Sequence, residues 1–296
     1  MAFAEQIYKA PEPLKWFVSV PVWGHWHQQV FRDHVFPRHK KLGLEECTYV
    51  IHTDQPHRLE FVKELGCEVL FKDKPQHNGY SGMNQCHGEV ISMAKGHGVL
   101  FLPPDCVPSV NLFQEVKRST AEDKKLVMVC CLRTFGNTEV PEEPERLNSW
   151  AVDWLHPNMK GWIWGHSDGI DLIPSNIFFR NGDNFWCHAA HLHPVAAVLD
   201  RKVGGGKSID SYLAGAYTQQ EIWVVENCEI ALAEITAENK FAGLKEAPIS
   251  VHSCVKRLAG KLHKHNKEFM LHAVRLRGEI GETPPVITEI LKGLKD

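Results

Sequence analysis

Asp105 stands directly behind an apolar run, Gly98-Val-Leu-Phe-Leu102, and two prolines. The prolines stiffen the approach. A carboxylate at such a strand end can bind a divalent cation through oxygen or accept hydrogen bonds from sugar hydroxyls, and it can equally close the strand with an Asx-type turn. His191-Leu-His193-Pro194 offers a second chemistry. In an extended chain residues two apart share a face, so both imidazoles can reach one ion or one phosphate; a histidine on a half-buried strand can also simply make an ordinary hydrogen bond. His25 and His27 repeat that spacing beside Trp23 and Trp26, a combination suited to a sugar or nucleobase, or to plain rim contacts. Arg133, at the end of Leu126–Leu132, can grip a phosphate in bidentate fashion or form a surface ion pair. Asp210 opens a helical stretch, where it can cap free amides or act as general base toward a hydroxyl.

Gly204-Gly-Gly-Lys-Ser208 invites comparison with a phosphate-binding loop, but the full pattern needs glycine where Arg201 stands. It reads as a loop whose amides and Lys207 can still contact an anion. No Gly-x-Ser-x-Gly, His-Glu-x-x-His or Gly-x-Gly-x-x-Gly occurs, so the serine-hydrolase, zincin and dinucleotide readings lose their usual support. The nine cysteines form no Cys-x-x-Cys pair; an odd, scattered set argues against a disulfide framework and for buried thiols, with Cys130 and Cys131 read as core.

The elements that must position these groups alternate. Lys15–Gly24 reads as strand and loop, followed by a helix through Val30, Phe31, His34 and Val35. Cys47–Asp54 is a second strand, and a helix carrying Leu59, Phe61, Val62 and Leu65 closes at Gly66. Cys67–Phe71, a helix over about 83–95 and Gly98–Leu102 continue the series, and Leu126–Leu132 is a fifth strand. This alternation predicts an α/β fold, a Rossmann-like, mostly parallel sheet flanked by helices. Ligands in such sheets sit beyond the carboxyl ends of the strands, where His25, His27, Thr53, Asp54, Asp73 and Asp105 fall.

Residues 136–170 read as long loops and short helices over the binding face, in the manner of a lid. A hairpin is expected over 175–191, turning at Arg180-Asn-Gly-Asp183. Lys207–Tyr217 reads as turn and helix, and Ile222–Glu226 as a closing strand. From about 236 the spacing of Val255, Leu258, Leu262, Phe269, Leu271 and Val274 predicts a C-terminal helical appendage.

Composition bounds the partners. The chain has 296 residues, 43% apolar and 23% charged, enough for a sizeable core. A net charge of −3 gives no overall field for a polyanion, so nucleic acid is not an expected partner. No apolar run approaches the roughly 18 residues of a membrane span, and Met1–Pro13 lacks the pattern of a secretory signal, so a cytoplasmic location is expected. Eighteen histidines keep metal and phosphate chemistry open.

Taken in order, Asp54 at a strand end, Phe-Leu-Pro-Pro-Asp105, Leu-Arg133, Leu155-His156-Pro157 with Trp164, His-Leu-His-Pro194 and Ser-Ile-Asp210-Ser-Tyr resemble a nucleotide-sugar glycosyltransferase of the GT-A type, over roughly residues 15 to 230. The resemblance implies a single domain with a nucleotide-binding half at about 14–135, an acceptor half at about 136–235 and the C-terminal helical segment at about 236–296. It implies Asp54 near the base or ribose, with Arg133, His25 and Lys207 as further donor contacts. It places Asp105 at the metal-binding Asp-x-Asp position, His193 or His191 at the diphosphate or metal, and Asp210 as the acceptor-side carboxylate. Pro103 replaces the first acid of that motif. Two arrangements stay open: Mn²⁺ or Mg²⁺ held by Asp105 and the diphosphate with histidine help, or histidines and Arg133 stabilising the leaving group instead. The activity implied is transfer of a sugar from a nucleotide-diphosphate donor to an acceptor hydroxyl. A catalytically degenerate nucleotide- or sugar-binding protein and a metal-dependent hydrolase are the competing readings.

Overall fold

A computed structural model describes residues 14–77, 79–135, 139–160, 163–164, 176–189, 191–203, 209–237, 250–261 and 271–295. The first strand, β1 (Trp16–Pro21), leads through a helical segment to β2 (Cys47–Thr53), then to β3 (Glu68–Asp73), the helix Gly79–Met93 and β4 (Gly98–Phe101). A short β5 (Cys106–Pro108) follows, then the helix Leu112–Ala121, β6 (Leu126–Val129) and β7 (Cys131–Thr134). The second half supplies the helix Pro144–Asp153, β8 (Ile177–Asn181), β9 (Asn184–His188), β10 (His193–Val198), β11 (Ile222–Val224), β12 (Leu232–Ile235) and β13 (Ala273–Arg277).

Seven strands form the central sheet in the order β11-β6-β10-β4-β1-β2-β3. All run parallel except β10, which is antiparallel to both of its neighbours, β4 and β6. The fold is therefore the α/β, Rossmann-like, mostly parallel sheet flanked by helices that the alternation predicted. Near-continuous apolar strands explain the two-sided burial: Val50, Val99, Phe101, Leu126 and Met128 face one core, while Val18, Val20, Ile51, Leu100, Leu102, Val127 and Val129 face the other. Successive side chains alternate between the faces, so both must be covered. The helix Gly79–Met93 covers the first face through Val90, and Leu112–Ala121 covers the second through Leu112, Phe113 and Val116.

Several expected elements differ. The single strand read over Leu126–Leu132 is two: after Cys130 the chain leaves the main sheet, and β7 joins a second sheet of order β5-β12-β7. Cys130 is buried as read, whereas Cys131 is only half-buried. The helix closed by Gly66 at φ 72 winds as a 3-10 helix over Pro56–Leu65. The helix after β1 contains a π turn at Phe31–Val35 just ahead of Pro37; Pro37 has no N–H to donate, and the wider turn places no demand on it. Arg38 and His39 then point into the core, and Arg38 donates to the carbonyls of Pro108, Val140 and Pro141 at 3.0, 3.0 and 2.9 Å.

The expected hairpin is present as β8 and β9, but it turns one residue later than read: Asn181 pairs with Asn184, and Gly182 at φ 58 takes the first central position, where a type II′ turn requires glycine. The C-terminal segment is not a purely helical appendage. Helices span Val251–Lys261 and Pro285–Lys295, but β13 lies between them and completes the sheet β13-β9-β8. Val274, Leu276, Ile287 and Ile290 belong to the main core, so the helical spacing that ran through Leu271 and Val274 crosses a strand. The parts of the lid reading at 136–138, 161–162 and 165–170 lie outside the described residues.

Gly98, at the start of β4, pairs in register with Trp16. A Cβ there would lie 2.4 Å from the Trp16 ring, which is itself buried. Gly98→Ala is expected to cost about 1–3 kcal/mol, read as a lower urea midpoint; an unchanged midpoint would show that the indole has room to move.

Candidate functional site

A cleft of about 810 Å³ opens where the carboxyl ends of the parallel strands meet the small β5-β12-β7 sheet. Asp105, Arg133, His191, His193 and Asp210 all line it, together with His27, Trp23, Tyr80 and Glu234. Each arrives by an identifiable route. Pro103 and Pro104 carry the chain out of β4 and deliver Asp105 to the head of β5, where its carbonyl accepts a 2.7 Å hydrogen bond from the Ile235 amide. Arg133 is the third residue of β7. His193 begins β10, and because that strand runs against its neighbours, its start lies level with the end of β6, opposite Val129. Asp210 lies in the short helix Ile209–Tyr212, whose first amide is held at 3.2 Å by Asn84 Oδ1 of the helix Gly79–Met93.

On one wall Arg133 donates from Nε to Glu234 Oε2 and from Nη2 to the Tyr80 hydroxyl, both at 3.0 Å. Burial opposes its charge, but Glu234 and Tyr80 outweigh it and hold the guanidinium pKa above its ordinary value. The Asp105 carboxylate lies 3.7 Å from His27 Nε2. Cys106 and Cys131 meet beside it with their sulfurs 3.9 Å apart. Their mutual contact, burial and the nearby carboxylates raise the Cys106 thiol; the same contact would lower Cys131, yet burial and Glu234 leave it raised. Both therefore remain neutral thiols.

On the other wall His193 Nδ1 and His191 Nε2 each lie 3.8 Å from one oxygen of Asp210. Burial lowers the His193 pKa, against the pull of Asp210. Behind it His87 bonds Ser19 Oγ at 2.8 Å, and burial, with His193 and His52, depresses its pKa to about 3.

Not every residue singled out in the sequence reaches this cleft. His25 is exposed at a helix start and Asp54 is exposed at the end of β2, where it accepts a 3.4 Å bond from Gln28; neither lines the cleft. Lys207 lies outside the described residues. The expected metal ligands also separate: Asp105 sits with His27, whereas His191 and His193 sit with Asp210. Among the described residues no group of three or more His, Cys, Asp or Glu side chains is placed to hold a metal ion, so the set Asp105, His191 and His193 does not fit one coordination shell.

Sequence reasoning passed over Glu234, Tyr80 and His87. Glu234 carried a readable signal, a lone acid inside the apolar run Ala231-Leu-Ala-Glu-Ile235. His87 carried one too, at helical spacing from Met83 and Val90.

No protein-family model and no curated protein matches the chain. Among solved structures it is similar to S. aureus TarS 1–349 in complex with UDP-GlcNAc, at 12% identity and a TM-score of 0.43 over 87% of this chain and 71% of that one. TarS 1–349 alone gives 13% and 0.45, over 87% and 70%. A UDP-glucose pyrophosphorylase complexed with UDP-glucose gives 9% and 0.28, over 43% and 66%. Likenesses at these scores carry no weight for this chain's activity, and the fold stands on its own strand order.

Two outcomes follow from the geometry. Glu234→Ala leaves the half-buried guanidinium of Arg133 without its carboxylate and is expected to cost about 1–3 kcal/mol, whereas Tyr80→Phe, at an exposed ring, costs less; equal unfolding midpoints for the two would contradict this. His87 is folded with a pKa near 3 against an ordinary 6.5, so between those values the unfolded chain binds the extra proton. Stability must then fall as pH drops below 6.5 toward 3, by up to about 1.4 kcal/mol per unit for each such group. His87→Gln should flatten that slope in unfolding measurements across this range, and an unaltered slope would show that His87 does not contribute to it.

Proposed function

We propose that the chain is a glycosyltransferase that takes a nucleotide-diphosphate sugar as donor and passes the sugar to an acceptor hydroxyl. The observation that supports this most is the convergence, at the carboxyl ends of a Rossmann-like sheet, of an anchored guanidinium, Arg133, with carboxylates from both halves of the chain, Asp105 and Asp210. Such a cleft holds what the reaction requires. A fixed cation can meet negative charge growing on a departing diphosphate, carboxylates and imidazoles can take hydrogen bonds from sugar hydroxyls, and Trp23 and Tyr80 offer ring faces to a flat ligand. Arg133, not a three-ligand metal site, is the leaving-group stabiliser this geometry favours. Asp54 and His25 remain candidates for donor contact only if the nucleotide extends beyond the cleft, and Lys207 remains a candidate donor contact.

The divided ligand set favours one alternative, a nucleotide- or sugar-binding protein that has lost turnover on the same scaffold. Calorimetry with UDP, GDP and CDP, followed by release of nucleoside diphosphate from a panel of their sugars, separates the two. Transfer predicts turnover that is abolished in Asp105→Ala with the thermal transition near wild type. Binding without turnover over the whole panel supports the alternative, and full activity in Asp105→Ala would reject the site.

A further inference from the structure

We propose that His193, through Nδ1, accepts the proton of the attacking hydroxyl, and that Asp210 beside it holds the imidazolium that results. The assignment rests on the glycosyl-transfer reading above and moves the base from the carboxylate to the ring.

The hydrogen-bond roles at His193 carry it. Nε2 lies 3.4 Å from the main-chain carbonyl of Phe101. A carbonyl can only accept, so Nε2 bears the hydrogen and, in the neutral ring, Nδ1 bears the lone pair. Nδ1 faces Asp210 Oδ1 at 3.8 Å, beyond hydrogen-bond distance. Nδ1 and the Asp210 carboxylate thus both present acceptors on the lining of the cleft, where an entering hydroxyl can meet either. Asp210 lies on the side of the basic nitrogen, so it cannot orient the neutral ring by receiving an N–H; the Phe101 carbonyl does that.

A hydroxyl has one hydrogen to give, and the two acceptors are not equivalent. Protonating Asp210 would leave a neutral acid beside a neutral imidazole. Protonating His193 makes an imidazolium beside a carboxylate, two opposite charges that hold each other. The charged and titratable groups around the ring agree with this assignment. His191, before β10, lies against the other oxygen of Asp210; His87 approaches from the helix Gly79–Met93 and Glu234 from β12. Of these the two carboxylates favour a proton on His193, and burial keeps the resting ring neutral.

The step balances without a further reagent. The O–H bond of the acceptor breaks and its proton passes to Nδ1. The oxygen forms a bond to the anomeric carbon, and the bond from that carbon to the diphosphate oxygen breaks with its electron pair leaving on the diphosphate.

The test measures donor turnover, nucleoside diphosphate affinity and the imidazole tautomer in the full chain. His193→Gln is expected to lower turnover by about 10²–10⁴-fold with affinity for the nucleoside diphosphate unchanged. In His193→Ala, added imidazole should restore part of the rate, and Asp210→Asn should lose less than His193→Gln. Imidazole ¹⁵N shifts of the wild type should show His193 as the Nε2–H tautomer, a result independent of whether any variant folds. An Nδ1–H tautomer, wild-type turnover in His193→Gln, or a loss there that lies in nucleotide affinity would overturn the assignment while leaving glycosyl transfer intact. No turnover by the wild type with any donor removes the transfer reading and the assignment together.

Discussion

The strand β12 is paired on both edges, and the rest of the cleft depends on the register this sets at Glu234. Glu234 stands opposite Cys106 of β5 on one side and opposite Arg133 of β7 on the other. Neighbouring strands lie about 4.8 Å apart, so this register sets Asp105, one residue before Cys106, and Arg133 on two strands roughly 10 Å apart with a carboxylate between them. Main-chain bonds fix the spacing, and the Ile235 amide holds the Asp105 carbonyl directly. A site carried by paired strands keeps its geometry better than one carried by loops. Glu234 also resolves the electrostatic problem of the wall: a half-buried guanidinium is tolerable because its partner is delivered by the same pairing.

The facing wall follows from strand direction. In a sheet whose other strands run parallel, only a reversed strand brings its beginning, not its end, to the ligand edge. β10 is that strand, and it lies between β4 and β6. His193 is its first residue, which is why a histidine late in the chain reaches a cleft made by early strands. Behind it the buried Ser19–His87 pair ties β1 to the helix Gly79–Met93. That same helix holds the Ile209 amide through Asn84. The element carrying Asp210 is therefore anchored to the element that closes the floor.

Much of this was legible in the residues, and what was not has a common cause. Strand–helix alternation, the polar strand ends and the Asn-Gly turn are local signals, and the main sheet and the hairpin answer to them. Asp105, Arg133, His191, His193 and Asp210 were marked by local context, and the fold brings them to one cleft. The exit of the chain at Cys130 was not visible, because Cys131-Leu-Arg continues the apolar run while its hydrogen-bond partners change from β10 and β11 to β12. The role of Glu234 exists only through pairing with residues more than a hundred positions earlier. β13 was read as helix because Leu271 and Val274 fit a helical spacing as well as a strand, and only its pairing with β9 decides between them.

The separation of the expected ligand set is likewise a matter of chain direction. His193 is tethered at Nε2 to the carbonyl of Phe101. Asp105 lies four residues beyond Phe101, in a turn closed by the Cys106 amide donating to the Pro103 carbonyl at 3.1 Å. That turn carries the chain out of the main sheet and into β5 of the small one. The imidazole stays at the edge that the aspartate has left. Asp105 meets instead the group that the first helix places beyond the strand ends, His27, and His193 meets the carboxylate that arrives on the helix after β10, Asp210. Two residues each suited by type to a metal thus take separate partners, because the turn after β4 delivers one of them to the second sheet while the other begins β10.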